Sequence, residues 1–493
     1  MDWQETEREM LAKYISEWYE LERKGEKREA ESLYNEKILP LSIKKFCQQH
    51  EHYKQKYDLF IATLGGAWAG TAHVISLLAP RQVLLICTEE SRRHLDSLYK
   101  HIAPVIPLSA VYWEMINDSN DVLQVYQVIK NYCWRRRERI KTLALDFTGG
   151  TKTMSAGLIL AGTVLGAADF YYLGNEEGAY LNDLRRPRPG SEMLIKVEHP
   201  FAVFGDLEAE NAQRLAGQYN YHSAASIYKQ LMGKVPDPRY FELHYLLCRS
   251  YNRWDNLEIK EAGEVIKELI NRIRQYRYED FAPRFVQILP VLEKQAAYLD
   301  RLAPIQEKDF HITEALNAEF AVALVMTIYT NALRRERQGK LDMATLLLYR
   351  TLEMISQFTL LLNYGLDTAE PEYEKLPMKK EELYEKMAEI YKKAQLSVPA
   401  ELPDKISLLH GYALLKALDD PLVQNVNIKQ ISEQSNMRNN TIFAHGFAFI
   451  KPAAYEAFKR TVNALLEAFI SRQGKCLADE LQVFDFINLE GVW

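Results

Sequence analysis

Residues 142–153 read TLALDFTGGTKT, and the fold of the region around them turns on this stretch. Residues 142–147 are a short apolar run of strand length. The turn Thr148-Gly149-Gly150-Thr151-Lys152 follows, and then a long apolar stretch, residues 154–168. That stretch falls short of the roughly 20 residues a membrane span needs, and Asp169 closes it, so it reads as a buried helix. Strand, glycine turn and buried helix in succession form the unit from which parallel sheets are wound.

The same texture extends to both sides. Residues 58–64 (DLFIATL), 82–88 (QVLLICT), 109–115, 169–173 (DFYYL) and 192–197 are further strand candidates. Asp118 or Ser119 is placed to cap a helix running through Tyr132. Strands alternating with helices predict a Rossmann-like α/β domain with a mostly parallel, doubly wound sheet over residues 55–203. Such sheets bind ligands beyond the carboxyl ends of their strands. That puts the Gly65-Gly66 turn and the 148–152 turn in one crevice.

The remainder reads as all-helical: a segment over residues 1–54, a linker domain over 204–310 and a C-terminal domain over 311–493. Residues 215–231 and 338–352 share the small–large spacing of helical-hairpin repeats, set against the plainer reading of two amphipathic helices that each bury a face. Residues 365–405 are charged, hold Pro371, Pro377, Pro399 and Pro403, and are expected to form a loop-rich insertion. A chain of 493 residues suits roughly two to four domains at about 100–200 residues each.

The net charge of −6 excludes a bulk polycation, so any nucleic acid must be met by a local patch. Five scattered cysteines, Cys47, Cys87, Cys133, Cys248 and Cys476, show no C-x-x-C spacing. They are expected to be reduced thiols, with no metal site. Residues 1–7 are polar and acidic, unlike a signal peptide. A cytoplasmic protein with no membrane association is expected.

The 148–152 turn has the chemistry of an anion cradle. Gly149 and Gly150 allow close approach and positive φ. The free amides at the start of a helix favour negative charge. Thr148, Thr151 and Thr153 add hydroxyls and Lys152 a cation. It is not a Walker loop, because Thr151 separates Gly150 from Lys152 and position 145 is Leu. In the matching first turn, Gly65, Gly66, Trp68 and Thr71 are the ligand candidates, with Trp68 open equally to stacking on a base or to anchoring the core. Arg135, Arg136, Arg137, Arg139 and Lys141 form a basic run at the opposite end of the sheet and read as a solvated helix end.

Residues 438–446 read RNNTIFAHG. On a continuous helix Arg438 and His445 would share a stripe within about 20°, roughly 10.5 Å apart along the axis. That is too far for a direct pair, but a second copy packed antiparallel across a twofold axis would bring Arg to His. Histidine suits proton transfer to or from an RNA hydroxyl. The planar fork of arginine suits the phosphate. Asn439 adds a polar neighbour, and Ala444 and Gly446 leave room around His445.

Together the two motifs resemble the CARF–HEPN accessory ribonucleases of type III CRISPR systems. The DFTGGTKT turn is similar to the ligand loop of CARF domains. Arg438-Asn439…His445 is similar to the HEPN pattern of Arg, four to six residues, then His, here at the long end. The resemblance covers most of residues 55–493 and does not place the first fifty. It implies a homodimer, with a cyclic oligoadenylate of four or six units bound across the CARF pair by Thr148, Gly149, Gly150, Thr151 and Lys152, to which the reading of the first turn adds Gly65, Gly66, Trp68 and Thr71. It also implies single-stranded RNA as the substrate, cut without a metal cofactor by Arg438, Asn439 and His445. Arg350 and Glu353 are supporting candidates on a facing helix. Two other readings are a cyclic-nucleotide sensor whose HEPN fold only dimerises, and a small-molecule nucleotide enzyme at the 148–152 turn, where Asp146 is the nearest acid.

Overall fold

A computed structural model of the chain describes residues 5–136, 138–167, 169–198 and 203–489. Arg137 of the basic run, Ala168 at the end of the apolar stretch and the first four residues lie outside these. The chain divides into two compact units between Val203 and Phe204.

The first unit is the predicted α/β domain. Its strands are β1 (Leu59–Thr63), β2 (Val83–Cys87), β3 (Val111–Met115), β4 (Leu143–Asp146), β5 (Asp169–Asn175), a small hairpin of β6 (Tyr180–Leu181) and β7 (Arg186–Pro187), and β8 (Glu192–Val197). The main sheet runs in the order β3-β2-β1-β4-β5-β8. The first five strands are parallel, and β8 closes the edge antiparallel to β5. β1 and β2 are buried along their whole length, as expected for strands covered by helices on both faces.

Side chains alternate between two cores. Phe60 and Ala62 join helices α3 (Leu39–Gln49), α4 (Trp68–Leu78) and α6 (Leu95–Ile102) on one face. Leu59 and Ile61 join α7 (Val122–Arg135) and α8 (Lys152–Leu165) on the other. The cap of α7 is Asp121, whose side chain accepts from Gln124 N, rather than Asp118 or Ser119. Strand order reverses between β1 and β4, the switch point at which such sheets open a crevice.

The N-terminal segment is part of this unit. Helices α1 (Glu5–Lys24) and α2 (Lys27–Leu33) bury Leu11, Trp18 and Ala30 against Leu181 and Leu184 beside the small hairpin. Ser42 of α3 lies between Glu192 Oε2 of β8 at 2.7 Å and His73 Nε2 of α4 at 2.8 Å. His50 Nε2 accepts from Leu194 N at 3.1 Å. These bonds fasten α3 to the sheet edge and to the helix that leaves the switch point.

The second unit is helical, with one isolated bridge between Thr441 and Ala448 among its described residues. Helices Asp206–Gly217, Tyr221–Met232, Arg239–Asp255, Ile259–Gln275 and Pro283–Leu302 pack each on the next. Ala318–Arg337 then pairs with Leu341–Tyr364, and Pro452–Arg472 lies against the latter. One hydrophobic core runs through all of them. The two similar stretches, 215–231 and 338–352, each span the turn between successive helices. The 365–405 insertion is less loop-rich than expected, because it contains the helix Lys380–Lys393. No helix among the described residues is long and apolar enough to cross a membrane.

Asp255, at the end of Arg239–Asp255, holds the early helices to the later ones. It accepts from Arg334 Nε at 2.8 Å and from Arg335 Nη2, and its carbonyl accepts from Asn331 Nδ2 at 2.8 Å. The buried Arg334 guanidinium also stacks on Phe486, 3.8 Å from the ring centroid. Phe486 in turn stacks on Tyr251 at 4.2 Å. Removing one partner of a buried ion pair strands the other charge, at a cost of about 3–5 kcal/mol. Asp255→Ala is therefore expected to lower the urea midpoint of the helical unit by a loss of that size. A change under about 1 kcal/mol would show that the arginines are satisfied without Asp255.

Candidate functional site

At the switch point the two glycine turns pack backbone against backbone. A Cβ on Gly149 would lie 2.1 Å from Thr63 O, and one on Gly65 would lie 2.6 Å from Gly150 N. These glycines are therefore required by the contact between the turns, not by approach of a ligand. Gly66 faces open space. Thr63 Oγ1 donates to Gly149 O at 2.5 Å.

Thr148 and Thr151 are also committed to the protein. Thr148 N and Oγ1 both donate to Asp146 Oδ1, and Thr148 Oγ1 accepts from Leu173 N at 2.7 Å. This ties the ends of β4 and β5 to the turn. Thr151 caps α8 by accepting from Met154 N at 3.2 Å, and it donates to Ser119 O at 2.7 Å. What remains for a ligand is the first turn of α8 with its amides, and Lys152. That lysine is exposed and has no hydrogen bond or ion pair among the described residues. The first-turn candidates divide. Trp68 is 9% exposed and stacks on His101 at 5.7 Å, and Thr71 is buried. Both side chains lie in the core, so Trp68 is an anchor rather than a free stacking platform. Asp146 is wholly buried, which removes it from direct acid–base work on a bound nucleotide.

The C-terminal motif is not one helix. Ile428–Asn439 ends one residue after Arg438, and His445 sits on the loop beyond. The loop is tied tightly. Thr441 N and Oγ1 donate to Arg438 O at 3.0 and 2.8 Å, His445 N donates to Asn439 O at 3.1 Å, and Gly446 N donates to Thr441 O at 3.1 Å. A Cβ on Gly446 would lie 2.1 Å from Asn440 O, so only glycine closes the loop. Thr441 is buried inside it, while His445 is exposed. The helical stripe expected for Arg438 and His445 is replaced by a helix end and a rigid loop, so the large axial separation does not apply.

Arg438 is held on two sides. Its Nη1 donates to Asn439 Oδ1 at 3.1 Å, and its guanidinium lies 4.6 Å from the centre of the Tyr349 ring. Its Nε is buried without a partner among the described residues. Burial raises the Tyr349 hydroxyl above its ordinary range. Tyr349 is thus the residue of the facing helix that meets the motif. Arg350 and Glu353, the sequence candidates, bond to each other at 3.1 Å. Their neighbour has the signal that matters, because a planar ring can support a guanidinium face. Around His445 the loop exposes Ile442, Phe443, Phe447 (92%) and Phe449 (70%). No group of three His, Cys, Asp or Glu among the described residues is placed to hold a metal ion, and the five cysteines are free thiols.

Residues 313–468 match the family model of the Csm6 HEPN domain, and residues 204–281 match that of the Csm6 6H domain. The CRISPR system endoribonuclease Csm6 of Thermus thermophilus is 27% identical over 454 residues, covering 90% of this chain and 92% of that protein. Among solved structures, Enterococcus italicus Csm6 bound to cyclic hexa-2'-fluoro-hexa-dAMP aligns with a TM-score of 0.50 at 13% identity, over 87% of this chain and 98% of that one. These matches agree with the resemblance drawn from the two motifs: an α/β domain precedes a region that matches a HEPN domain, and that match encloses both Arg438 and His445.

Asp146 supplies a test of the switch-point geometry. Burial pushes its carboxyl up to about 6 from 3.8, against the pull of its two bonds from Thr148. The folded protein therefore holds this proton more tightly than the unfolded chain does. Stability falls as the pH rises through that window, and the penalty is complete above it. Asn at this position keeps an acceptor for Thr148 and does not titrate. The stability of Asp146→Asn relative to the parent is expected to grow by up to about 3 kcal/mol between pH of about 4 and about 7.5, read by urea unfolding. A difference that does not vary with pH would show that Asp146 titrates like an exposed carboxylate.

Proposed function

We propose that this chain, with its Csm6 HEPN and 6H domains, is a metal-independent endoribonuclease of type III CRISPR defence, switched on by a cyclic oligoadenylate and cutting single-stranded RNA. The observation that carries the reading is the rigid loop that presents His445 beside the end of the Arg438 helix, inside the region matching a HEPN domain. The related protein of Thermus thermophilus is named as an endoribonuclease, and the Enterococcus italicus structure holds a cyclic hexanucleotide analogue. Both names support the same assignment.

The chemistry follows from the residues. Transesterification of RNA needs the 2′-hydroxyl deprotonated, the leaving oxygen protonated and the phosphate charge balanced. His445 serves as the proton-transfer group. Arg438, flattened on Tyr349 and steered by Asn439, presents its free edge to the phosphate. The exposed Ile442, Phe443, Phe447 and Phe449 support a homodimer. Burying a side chain of this size is worth about 1.5–3 kcal/mol, and a twofold copy laid over the loop would cover the patch and pair the two His445 sites. In the α/β unit, Lys152 and the first amides of α8 form the anionic contact for an oligoadenylate phosphate.

His445→Ala is expected to lower RNA cleavage by about two to four orders of magnitude while leaving cyclic oligoadenylate affinity unchanged. The parent should cleave in excess EDTA and leave a cyclic phosphate. Complete loss in EDTA, restored by a divalent ion, would overturn the mechanism. A His445→Ala protein as active as the parent would remove the residue from the site.

Lys152→Ala removes a charge-assisted contact worth about 1.5–3 kcal/mol. Activator affinity is then expected to fall about ten- to a hundredfold, measured by titration with cyclic tetra- and hexa-adenylate. Saturating activator should restore cleavage. An unchanged activation curve would take Lys152 out of the ligand site.

A further inference from the structure

Where the 6H region meets the HEPN region within the helical unit, the surface opens into a cleft of about 860 Å³. Its composition is unusual for a protein of net charge −6. Arg335, Arg337 and Lys340 line it, against the single carboxylate of Asp255. That carboxylate is already shared between Arg334 and Arg335. Arg334, buried to 1% exposure, keeps Nη1 and Nη2 without a partner among the described residues. Arg337 meets a second carboxylate, Asp485, at 3.2 Å. Two anions thus face Arg334, Arg335, Arg337 and Lys340, and the cleft keeps an excess of positive charge. Lys340 is exposed and has no partner among the described residues. The remaining polar wall is rich in amides, those of Asn220, Asn252 and Asn256 among them.

One wall residue stands in a backbone conformation that its side chain disfavours. Tyr219 follows the end of the helix Asp206–Gly217 with φ of +60°, and Asn220 N returns to Leu215 O at 2.9 Å. Glycine is the usual residue at such a helix end, and a bulky side chain there costs roughly 1–2 kcal/mol. The ring is kept despite that cost. Arg337 donates to its hydroxyl at 2.6 Å, which fixes the ring beside the cations.

The cleft also lies next to the cutting loop. Ile450, five positions after His445, donates its amide to Asp342 Oδ1 at 3.0 Å. Asp342 is in the first turn of Leu341–Tyr364, directly after Lys340 and Leu341.

We infer that this cleft is a binding subsite for single-stranded RNA, holding the strand on one side of the scissile phosphate. Lys340 and Arg337 take the backbone phosphates, Tyr219 offers a stacking face, and the amides meet base edges, while Arg335, bonded to Asn331, Gln338 and Asp255, adds its field from the wall. That combination of a cationic groove, an aromatic face and polar groups is how single strands are gripped. The inference rests on the ribonuclease reading and gives the 6H region a role in substrate binding.

The test uses the full-length His445→Ala protein, which holds RNA without cutting it, titrated with a fluorescent single-stranded RNA of about twenty nucleotides at low and high salt. Adding Lys340→Glu is expected to raise Kd about tenfold at low salt and to flatten the slope of log Kd against log salt by roughly one unit. Lys392→Glu makes the same change in net charge on the exposed face of Lys380–Lys393 and is expected to shift Kd less than about twofold. Tyr219→Gly suits the backbone and should leave the melting temperature nearly unchanged, yet weaken RNA binding by at least about fivefold. Equal effects of the two lysine variants, or parental affinity in Tyr219→Gly, would overturn the subsite. If the parent cleaves RNA and the cleft variants bind normally, the subsite alone fails. If the parent never cleaves RNA, the ribonuclease reading fails and the subsite with it.

Discussion

The α/β unit depends on one contact, that between the two glycine turns at the switch point. β1 and β4 are neighbours, and the chain leaves them in opposite directions, so their turns must pass each other at the carboxyl edge. They do so without room for a Cβ on Gly65 or Gly149. The close fit sets the direction in which α8 departs, and Thr148 bolts it to β4 and β5 through Asp146 and Leu173. Once the hydroxyls of this turn are spent on the fold, little side-chain chemistry remains facing outward. Lys152 and the helix terminus carry that role, and the rest of the motif is scaffolding that keeps them still.

The helical unit solves a similar problem differently. A side chain that is to meet a ligand needs exposure, but an exposed side chain on a loose loop is poorly placed. Ending the helix at Asn439 and folding the next residues back onto Asn439, Asn440 and Thr441 gives a loop whose backbone is fixed while its side chains point outward. The arginine gains its orientation from a neighbouring ring and amide instead of from a carboxylate. Its charge is left unneutralised by Asn439 and Tyr349.

Much of this was legible in the sequence, and the misses share a cause. The six strands of the main sheet follow from short apolar runs between turn residues, a local signal. The order of strands then places both glycine turns at the switch point. The purpose of the glycines was not legible, because a glycine that admits a ligand and one that admits another turn look alike in one dimension. Trp68 was open between stacking and core, and its burial against His101 depends on a helix some thirty residues away. The helix predicted through residues 438–445 fails because Gly446 and the side chain of Thr441 favour a return of the chain, a local side-chain-to-backbone competition that periodicity does not record. Tyr349, Asp255 and the Ser42 bond to His73 and Glu192 are pairings between distant positions, and periodicity carries no record of them.

The single core of the helical unit means that its named parts are not separate folding bodies. The 6H and HEPN matches end and begin about thirty residues apart, which invites treating them as modules. Yet Phe484 and Phe486, beyond the end of both matches, sit against Trp254 and Tyr251 of the early helices, and Gln295 donates to Val483 O at 2.8 Å. A stretch that leaves the ribosome after both matches is therefore what completes the core over the first helices of the unit. Until it is synthesised, the early helices have no complete partner surface. A product cut short before residue 484 would therefore be an unfinished fold, with Trp254 and Tyr251 uncovered.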